Sequence, residues 1–132
     1  MTPLTESGFA NWLDGYGRAS VDHDARAASE LFSPDARYYE TPFADPLIGR
    51  EAIYRYWSAA AQASTEVQFA YQILAVSRTV GVARWQARMG RRSGKLTLLD
   101  GVLAAEFDEQ GLCSLFREWW HRQEIEAGAE ER

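Results

Sequence analysis

The strongest candidate for acid–base chemistry is Glu40, which lies in the run YYETPF from Tyr38 to Phe43. A carboxylate placed among aromatic rings loses hydration, and a poorly hydrated carboxylate is a better base toward a weakly acidic proton. The same run is equally compatible with a glutamate at a strand end whose side chain points to water. Glu40 is therefore a candidate general base with an open structural alternative.

Two further segments place polar groups beside rings. Tyr16 ends the apolar face of the first predicted helix, where its hydroxyl could donate a hydrogen bond into a cavity or reach solvent from the core. The last strand reads FREWWH from Phe116 to His121. Because side chains alternate along a strand, one face carries Phe116, Glu118 and Trp120 and the other carries Arg117, Trp119 and His121. Either face offers an ionisable group next to an aromatic one.

The sequence lacks the residue patterns that other kinds of catalytic site require. The two histidines, His23 and His121, are not at the spacing of metal ligands. Gly15 and Gly17 lack the third glycine of a dinucleotide-binding motif. Cys113 is the single cysteine, so no intrachain disulfide can form, and its apolar neighbours predict a buried, inert thiol. We expect neither a metal nor a cofactor.

The composition predicts one globular domain with unusually many rings. The chain has 132 residues, 13% of them aromatic, and a net charge of −5. A protein that binds nucleic acid through phosphate contacts needs a basic face, and the one basic run here, from Arg88 to Lys95, is expected at a hairpin tip. Because no apolar run could span a membrane and no signal-peptide pattern is present, we expect a cytoplasmic protein whose partners include neither nucleic acid nor a membrane.

Hydrophobic periodicity predicts three helices followed by strands. A first helix over residues 5–19 places Phe9, Trp12, Leu13 and Tyr16 on one face. The other predicted elements are a short helix containing Ala27, Ala28, Leu31 and Phe32 that ends at Ser33-Pro34-Asp35, a strand over 37–41, a helix over about 50–63, and strands over 67–73, 79–91, 96–107 and 112–122. This order predicts an α+β fold in one domain, 1–132, with its core at about 8–122 and an acidic tail, 123–132, that frays into water.

The register of the central hairpin follows from its turn. A three-residue turn at Arg92-Ser93-Gly94 pairs Trp85 with Gly101 and Ala87 with Leu99, which separates apolar from polar side chains better than a two-residue turn. Trp85, Leu99, Gly101 and Leu103 are then predicted to face inward, with Gly101 leaving volume for a ligand. The same counting places Phe116, Glu118 and Trp120 on the inner face and directs His121 outward.

Several segments together resemble the SnoaL-like group of the nuclear-transport-factor-2-like superfamily, which also contains the ketosteroid isomerases. They are LFSPDARYYETPF (31–43), GREAI (49–53), Tyr56-Trp57, FDEQG (107–111) and EWW (118–120). The resemblance implies a cystatin-like cone, in which three N-terminal helices pack inside a strongly curved antiparallel β-sheet around a pocket at the wide end. It also implies a homodimer formed through the outer face of the sheet.

The resemblance assigns roles only where residues match. Tyr16 corresponds to the helix-1 tyrosine that donates a hydrogen bond to the oxyanion in ketosteroid isomerases, and Glu40 corresponds approximately to their aspartate base. Leu103 stands where those enzymes carry a protonated aspartate as second donor, so that donor is missing. SnoaL-type cyclases use an Asp/His pair instead, and His121 is the one late histidine available to such a pair.

The leading hypothesis is an aromatic-lined pocket that performs cofactor-free acid–base chemistry on a small apolar carbonyl or cyclic compound. Glu40 would remove a proton next to a carbonyl, Tyr16 would stabilise the enolate oxygen, and Glu118 would act as a second acid or base, with His121 as a further catalytic candidate. The expected walls are Phe43, Tyr56, Trp57, Trp85, Leu99, Leu103, Phe116 and Trp120. Two alternatives remain open: a non-catalytic ligand-binding or dimerisation module, and a scaffold whose sheet recognises another protein.

Overall fold

The first helix forms where the periodicity predicts it. In the computed structural model, which describes residues 2–126, α1 spans Glu6–Val21. It begins at Thr5, whose side chain accepts a hydrogen bond from the Gly8 N–H at 3.0 Å and so satisfies a donor that the helix cannot pair. The predicted apolar face is buried against the sheet: Phe9, Trp12, Leu13 and Tyr16.

The second helix is shorter than predicted, and the strand after it begins earlier. α2 spans only Ala25–Ser29, capped by the Asp24 carboxylate, and β1 spans Phe32–Tyr39. The prediction that Phe32 is helical was therefore wrong. Strand pairing overrides the local pattern, because the Cys113 N–H donates to the Leu31 carbonyl at 3.0 Å. Pro34 is tolerated because it lies where the pairing of β1 is irregular, so its missing N–H interrupts no regular ladder.

The third helix and the long strands follow the predicted order. β2 spans Leu47–Ile48 and α3 spans Arg50–Ala63. The remaining strands are β3 (Ser64–Ser77), β4 (Val80–Arg91), β5 (Lys95–Phe107) and β6 (Cys113–Glu126). Because β6 continues to Glu126, the first part of the predicted acidic tail is a strand, and residues 127–132 lie outside the described residues.

The strands of the described chain form one curved sheet in the order β2-β1-β6-β5-β4-β3. Neighbouring strands are antiparallel except β1 and β6, which run parallel, so the sheet is mixed rather than purely antiparallel as expected. The parallel pair brings the end of β1, with Tyr38, beside Phe116 of β6. This contact joins the two segments that carry the candidate acidic groups.

The hairpin register is confirmed, but the role expected for Gly101 is wrong. Trp85 pairs with Gly101 and Ala87 with Leu99, and Gly94 takes the left-handed conformation with φ of 89°. A Cβ on Gly101 would overlap the Trp119 carbonyl oxygen and the Cβ of Trp120. Close approach of β6 therefore fills the space beside Gly101, and no ligand volume remains there.

Candidate functional site

A cavity of about 210 Å³ lies between the inner face of the sheet and helices α1 and α3. Its surface is mostly apolar, with a few polar groups, which is the usual composition of a small-molecule site. The lining residues are Tyr16, Ala19, Ser20, His23, Ala25, Tyr38, Glu40, Tyr56, Trp57, Ala60, Ala61, Ser64, Val67, Phe69, Trp85, Ala87, Met89, Arg91, Leu99, Glu118, Trp120 and Arg122.

A buried hydrogen bond between two side chains forms part of this cavity wall. The Tyr16 hydroxyl donates to Oε1 of Glu118 at 3.0 Å, and both side chains are buried. Tyr38 is buried beside this pair, and the pKa of its hydroxyl and that of Tyr16 each respond to the other group. Two buried tyrosines therefore lie close to the Glu118 carboxyl, and Tyr16 is the one that donates a hydrogen bond to it.

Glu118 is the most perturbed acid of the site. Burial raises the pKa of its carboxyl to about 8, the hydrogen bond from Tyr16 lowers the pKa, and the charge of Glu40 raises it. Desolvation dominates because a carboxylate loses most of its hydration at a fully buried position. At neutral pH Glu118 is therefore mainly a neutral acid that carries a proton to donate.

The tyrosines around Glu118 keep their protons. Burial raises the pKa of Tyr16 and of Tyr38 well above the ordinary value, and the charge of Glu118 adds to the effect. The pKa of Tyr56 is raised by burial first, then by the charges of Glu118 and Glu40 and a hydrogen bond to Glu40. These hydroxyls serve as hydrogen-bond donors and not as bases.

Glu40 brings a second carboxyl to the same cavity in a different environment. It follows β1 directly, is half-buried, and lines the cavity together with Glu118. The indole N–H of Trp120 donates to the Glu40 carbonyl at 2.9 Å, which fixes this segment against β6. Two carboxyl groups whose environments differ in this way can divide the roles of base and acid.

The comparisons with known proteins agree with this architecture. A family model described as the SnoaL-like domain matches residues 12–115, most of the chain. The chain belongs to the SnoaL-like domain family. None of the curated proteins compared with the chain matches it.

Solved structures share the SnoaL-like fold at low sequence identity. One is described as the epoxide hydrolase/cyclase-like enzyme SalBIII in pyran ring formation in polyether salinomycin. It has 19% identity and a TM-score of 0.77, over 88% of this chain and 92% of that one. Another is RV0760c from Mycobacterium tuberculosis, with 16% identity and a TM-score of 0.78, over 92% of this chain and 99% of that one. At these identities the likeness shows the fold alone.

The SnoaL-like fold brings most of the sequence-predicted site residues to one cavity. They are Tyr16, Glu40, Tyr56, Trp57, Trp85, Leu99, Glu118 and Trp120. They come from α1, α3, three strands and the segment after β1, so their convergence depends on the curvature of the sheet. Their locations agree with the expectation, and their catalytic and binding roles stay predictions.

Four predicted positions lie elsewhere. Phe43 is fully exposed in the loop after β1 and forms no wall. Leu103 and Phe116 are fully buried but lie behind the cavity surface, where the Phe116 ring stacks on Tyr38 with centroids 4.6 Å apart. His121 pairs with Asp100 in the ladder and is exposed on the outer face, because strand alternation separates it from Glu118.

The sequence analysis did not single out Tyr38 as a site residue, nor Arg91 and Arg122. Tyr38 is buried together with Ala36, two positions earlier on β1, so the alternation of that strand was the available signal. Arg91 and Arg122 continue the inner faces of β4 and β6 beyond the predicted walls.

Among the described residues no cluster of His, Cys, Asp or Glu could hold a metal ion, and no helix is long and apolar enough to cross a membrane. Cys113 is buried, as expected, and burial raises the pKa of its thiol.

Proposed function

We propose that this SnoaL-like domain catalyses proton transfer at the carbon next to the carbonyl of a small, flat, apolar compound, using its own side chains as acid and base. The observation that carries the proposal is the neutral Glu118 carboxyl, hydrogen-bonded to Tyr16, in the same apolar cavity as Glu40. A neutral acid and a second carboxyl group in one cavity are what such chemistry requires.

The proposed reaction balances within this set of residues. The Glu40 carboxylate takes the α-proton, and the electrons of the broken C–H bond move into the carbonyl, which becomes an enolate. The Glu118 O–H donates a hydrogen bond to the new oxyanion while Tyr16 supports Glu118. Glu40 then returns a proton to the α-carbon, which restores the ketone with an exchanged hydrogen, or, where the enolate is conjugated with a further C=C, to the γ-carbon, which moves the double bond; the protein is unchanged in either case.

Glu118 also offers a replacement for the donor missing at Leu103. The two residues pair directly across β5 and β6. A carboxyl on β6 can therefore reach the region that an acid on β5 would occupy in the ketosteroid isomerases. The proposed oxyanion site thus takes its acid from the neighbouring strand.

The size of the cavity limits the substrate. A cavity of about 150 Å³ lined by apolar side chains holds benzene, whereas this one measures about 210 Å³. We infer a substrate with one or two rings, smaller than a four-ring steroid.

Two buried donors support the binding of a molecule that carries an acceptor. The indole N–H groups of Trp57 and Trp85 have no hydrogen-bond partner among the described residues, and both side chains line the cavity. A buried donor left unpaired costs roughly 1–3 kcal/mol. An oxygen of a bound molecule would recover part of this free energy after a small shift of either ring.

The test is the exchange of α-hydrogens of 1-tetralone with deuterated solvent, followed by NMR. We expect Glu40→Gln to slow exchange by about 10²–10⁴-fold, because the base is lost while the shape of the side chain is kept. Glu109→Gln, at an exposed turn, is the matched control and should exchange as the wild type does. Binding of 1-tetralone without exchange above the buffer rate would overturn the proposal in favour of a non-catalytic ligand-binding module.

A further inference from the structure

One end of the cavity carries arginines, although the protein as a whole is acidic. Arg91 of β4 and Arg122 of β6 both line the cavity, and we call them the mouth arginines. Arg91 is held by a hydrogen bond from its Nε to Oγ1 of Thr97 at 2.9 Å, and Thr97 is fully buried. A buried anchor of this kind keeps the guanidinium at the cavity wall.

A carboxylate of the protein already contacts one of these arginines. Glu124 forms an ion pair with Arg122, and the pKa of Glu124 is lowered by that hydrogen bond first, then by the charges of Arg122, Lys95 and Arg91. Glu126 lies opposite Lys95 in the ladder. Three cationic side chains, Arg122, Lys95 and Arg91, therefore act on the carboxylate of Glu124, and with Glu126 included this set of five groups carries one more positive than negative charge.

The mouth arginines lie well away from the acid–base residues. Arg122 is four residues from Glu118 on the same face of β6, and four residues of strand span about 13 Å. The wall between them is apolar and includes Ala87 and Leu99. The cavity thus presents hydrogen-bonding acid at one end, apolar surface in the middle and guanidinium groups at the other end.

We propose that the flat, apolar body of the substrate carries one carboxylate, which the mouth arginines bind by displacing Glu124, while the carbonyl of the substrate lies against Glu118 and Tyr16. This inference rests on the proposed function, because it names the substrate class of the same cavity. Guanidinium groups bind carboxylates through paired hydrogen bonds, and Glu124 shows that a carboxylate can reach the guanidinium of Arg122. The negative charge of Glu40 disfavours the reverse orientation, so the two ends of the cavity would also fix the direction of binding.

The experiment compares two ligands that differ only in charge, 1-tetralone-6-carboxylate and 1-tetralone-6-carboxamide, by titration calorimetry. We expect the wild type to bind the carboxylate about tenfold or more tightly than the amide. Arg91→Gln and Arg122→Gln should each reduce this preference to about threefold or less, with little change in amide affinity. Arg55→Gln, at an exposed position of α3 that does not line the cavity, is the control and should keep the preference.

The Glu124→Gln variant provides an independent test by the same titrations. Removing the internal competitor should increase carboxylate affinity while leaving amide affinity unchanged. Equal affinity of the wild type for both ligands, a preference that survives both arginine substitutions, or unchanged carboxylate affinity in Glu124→Gln would each overturn the inference.

The same compounds separate this inference from the proposed function. If the amide binds and exchanges its α-hydrogens, and the carboxylate binds no more tightly than the amide, the carboxylate inference alone is refuted. A carboxylate preference without exchange of either compound would refute the proposed catalysis and leave the anion site standing. If neither compound binds, both proposals fail.

Discussion

The acid at position 118 illustrates how much of a side chain's chemistry depends on its surroundings. A glutamate exposed to water is a carboxylate at neutral pH, whereas burial raises the pKa of Glu118 to about 8. The hydrogen bond from Tyr16 acts in the opposite direction and does not reverse the effect of burial. A neutral acid at this place is the property on which the proposed chemistry depends.

The raised pKa of Glu118 should make stability depend on pH. The folded protein holds this proton up to about pH 8, whereas the unfolded chain releases it near 4.5, so the contribution to stability is complete below pH 4.5 and is lost as the pH rises to about 8. Across that interval the free energy of unfolding should fall by roughly 3–5 kcal/mol relative to Glu118→Gln. Urea denaturation at several pH values measures the difference, and parallel curves for the two proteins would contradict the prediction.

The same proton should control activity. If Glu118 donates to the oxyanion, kcat/KM for α-hydrogen exchange should decrease as the pH rises above about 8, because the acid is then ionised. Glu118→Gln cannot ionise and should show lower activity without this alkaline decrease. An alkaline limb that persists in the variant would assign the titration to another group.

At the scale of elements, close packing between α1 and the sheet holds Tyr16 in place. Gly17 is buried, and a Cβ there would lie 2.7 Å from the Phe69 ring. That ring is itself packed against Tyr16 and Trp85, with centroids 5.5 and 6.3 Å apart. The absence of a side chain at Gly17 therefore lets the helix approach β3 closely enough to position the tyrosine.

Two glycines of the same helix should respond differently to alanine. Gly17→Ala should lower the free energy of unfolding by about 1–3 kcal/mol, because the Phe69 ring is packed on other rings and cannot move away from the new methyl group. At Gly15 the new methyl would meet only the end of the Leu31 side chain, at 3.3 Å. Gly15→Ala should be neutral or stabilising by up to about 1 kcal/mol, as expected for a helix interior. Thermal or urea denaturation of both variants measures the contrast, and equal destabilisation would contradict this account.

At the scale of the whole molecule, the outer face of the sheet is the region expected to join two copies. Trp119 lies there with 45% of its surface exposed, on the opposite side of β6 from Glu118. On the same face, Arg84 forms an ion pair with Asp100 at 2.6 Å. An exposed indole beside an arginine fits the enrichment of aromatic residues and arginine in protein interfaces.

We therefore predict a homodimer that Trp119→Glu converts to monomer. Light scattering should give about twice the chain mass of 14.9 kDa for the wild type and a mass near that of one chain for the variant. Phe43→Ser removes an even more exposed aromatic side chain from a loop outside the sheet and should leave the dimer intact. A monomeric wild type, or a dimer that survives Trp119→Glu, would contradict the prediction.

By itself, the sequence determined the features that depend on local period. The spacing of Phe9 to Tyr16 defined the buried face of α1, the turn at Gly94 defined the pairing of β4 with β5, and alternation placed Glu118 inward and His121 outward. Each of these follows from the geometry of one helix or one hairpin, so neighbouring residues suffice to predict it.

The tertiary structure alone decided which remote groups meet. Tyr16 and Glu118 are 102 residues apart yet share a hydrogen bond, and Tyr38 joins them because β1 pairs in parallel with β6. Phe43, which the same sequence pattern placed in the wall, is instead exposed in a loop. Local periodicity carries no information on the curvature of a sheet or the path of a loop, and these fix the distances on which the burial of Glu118 and its raised pKa depend.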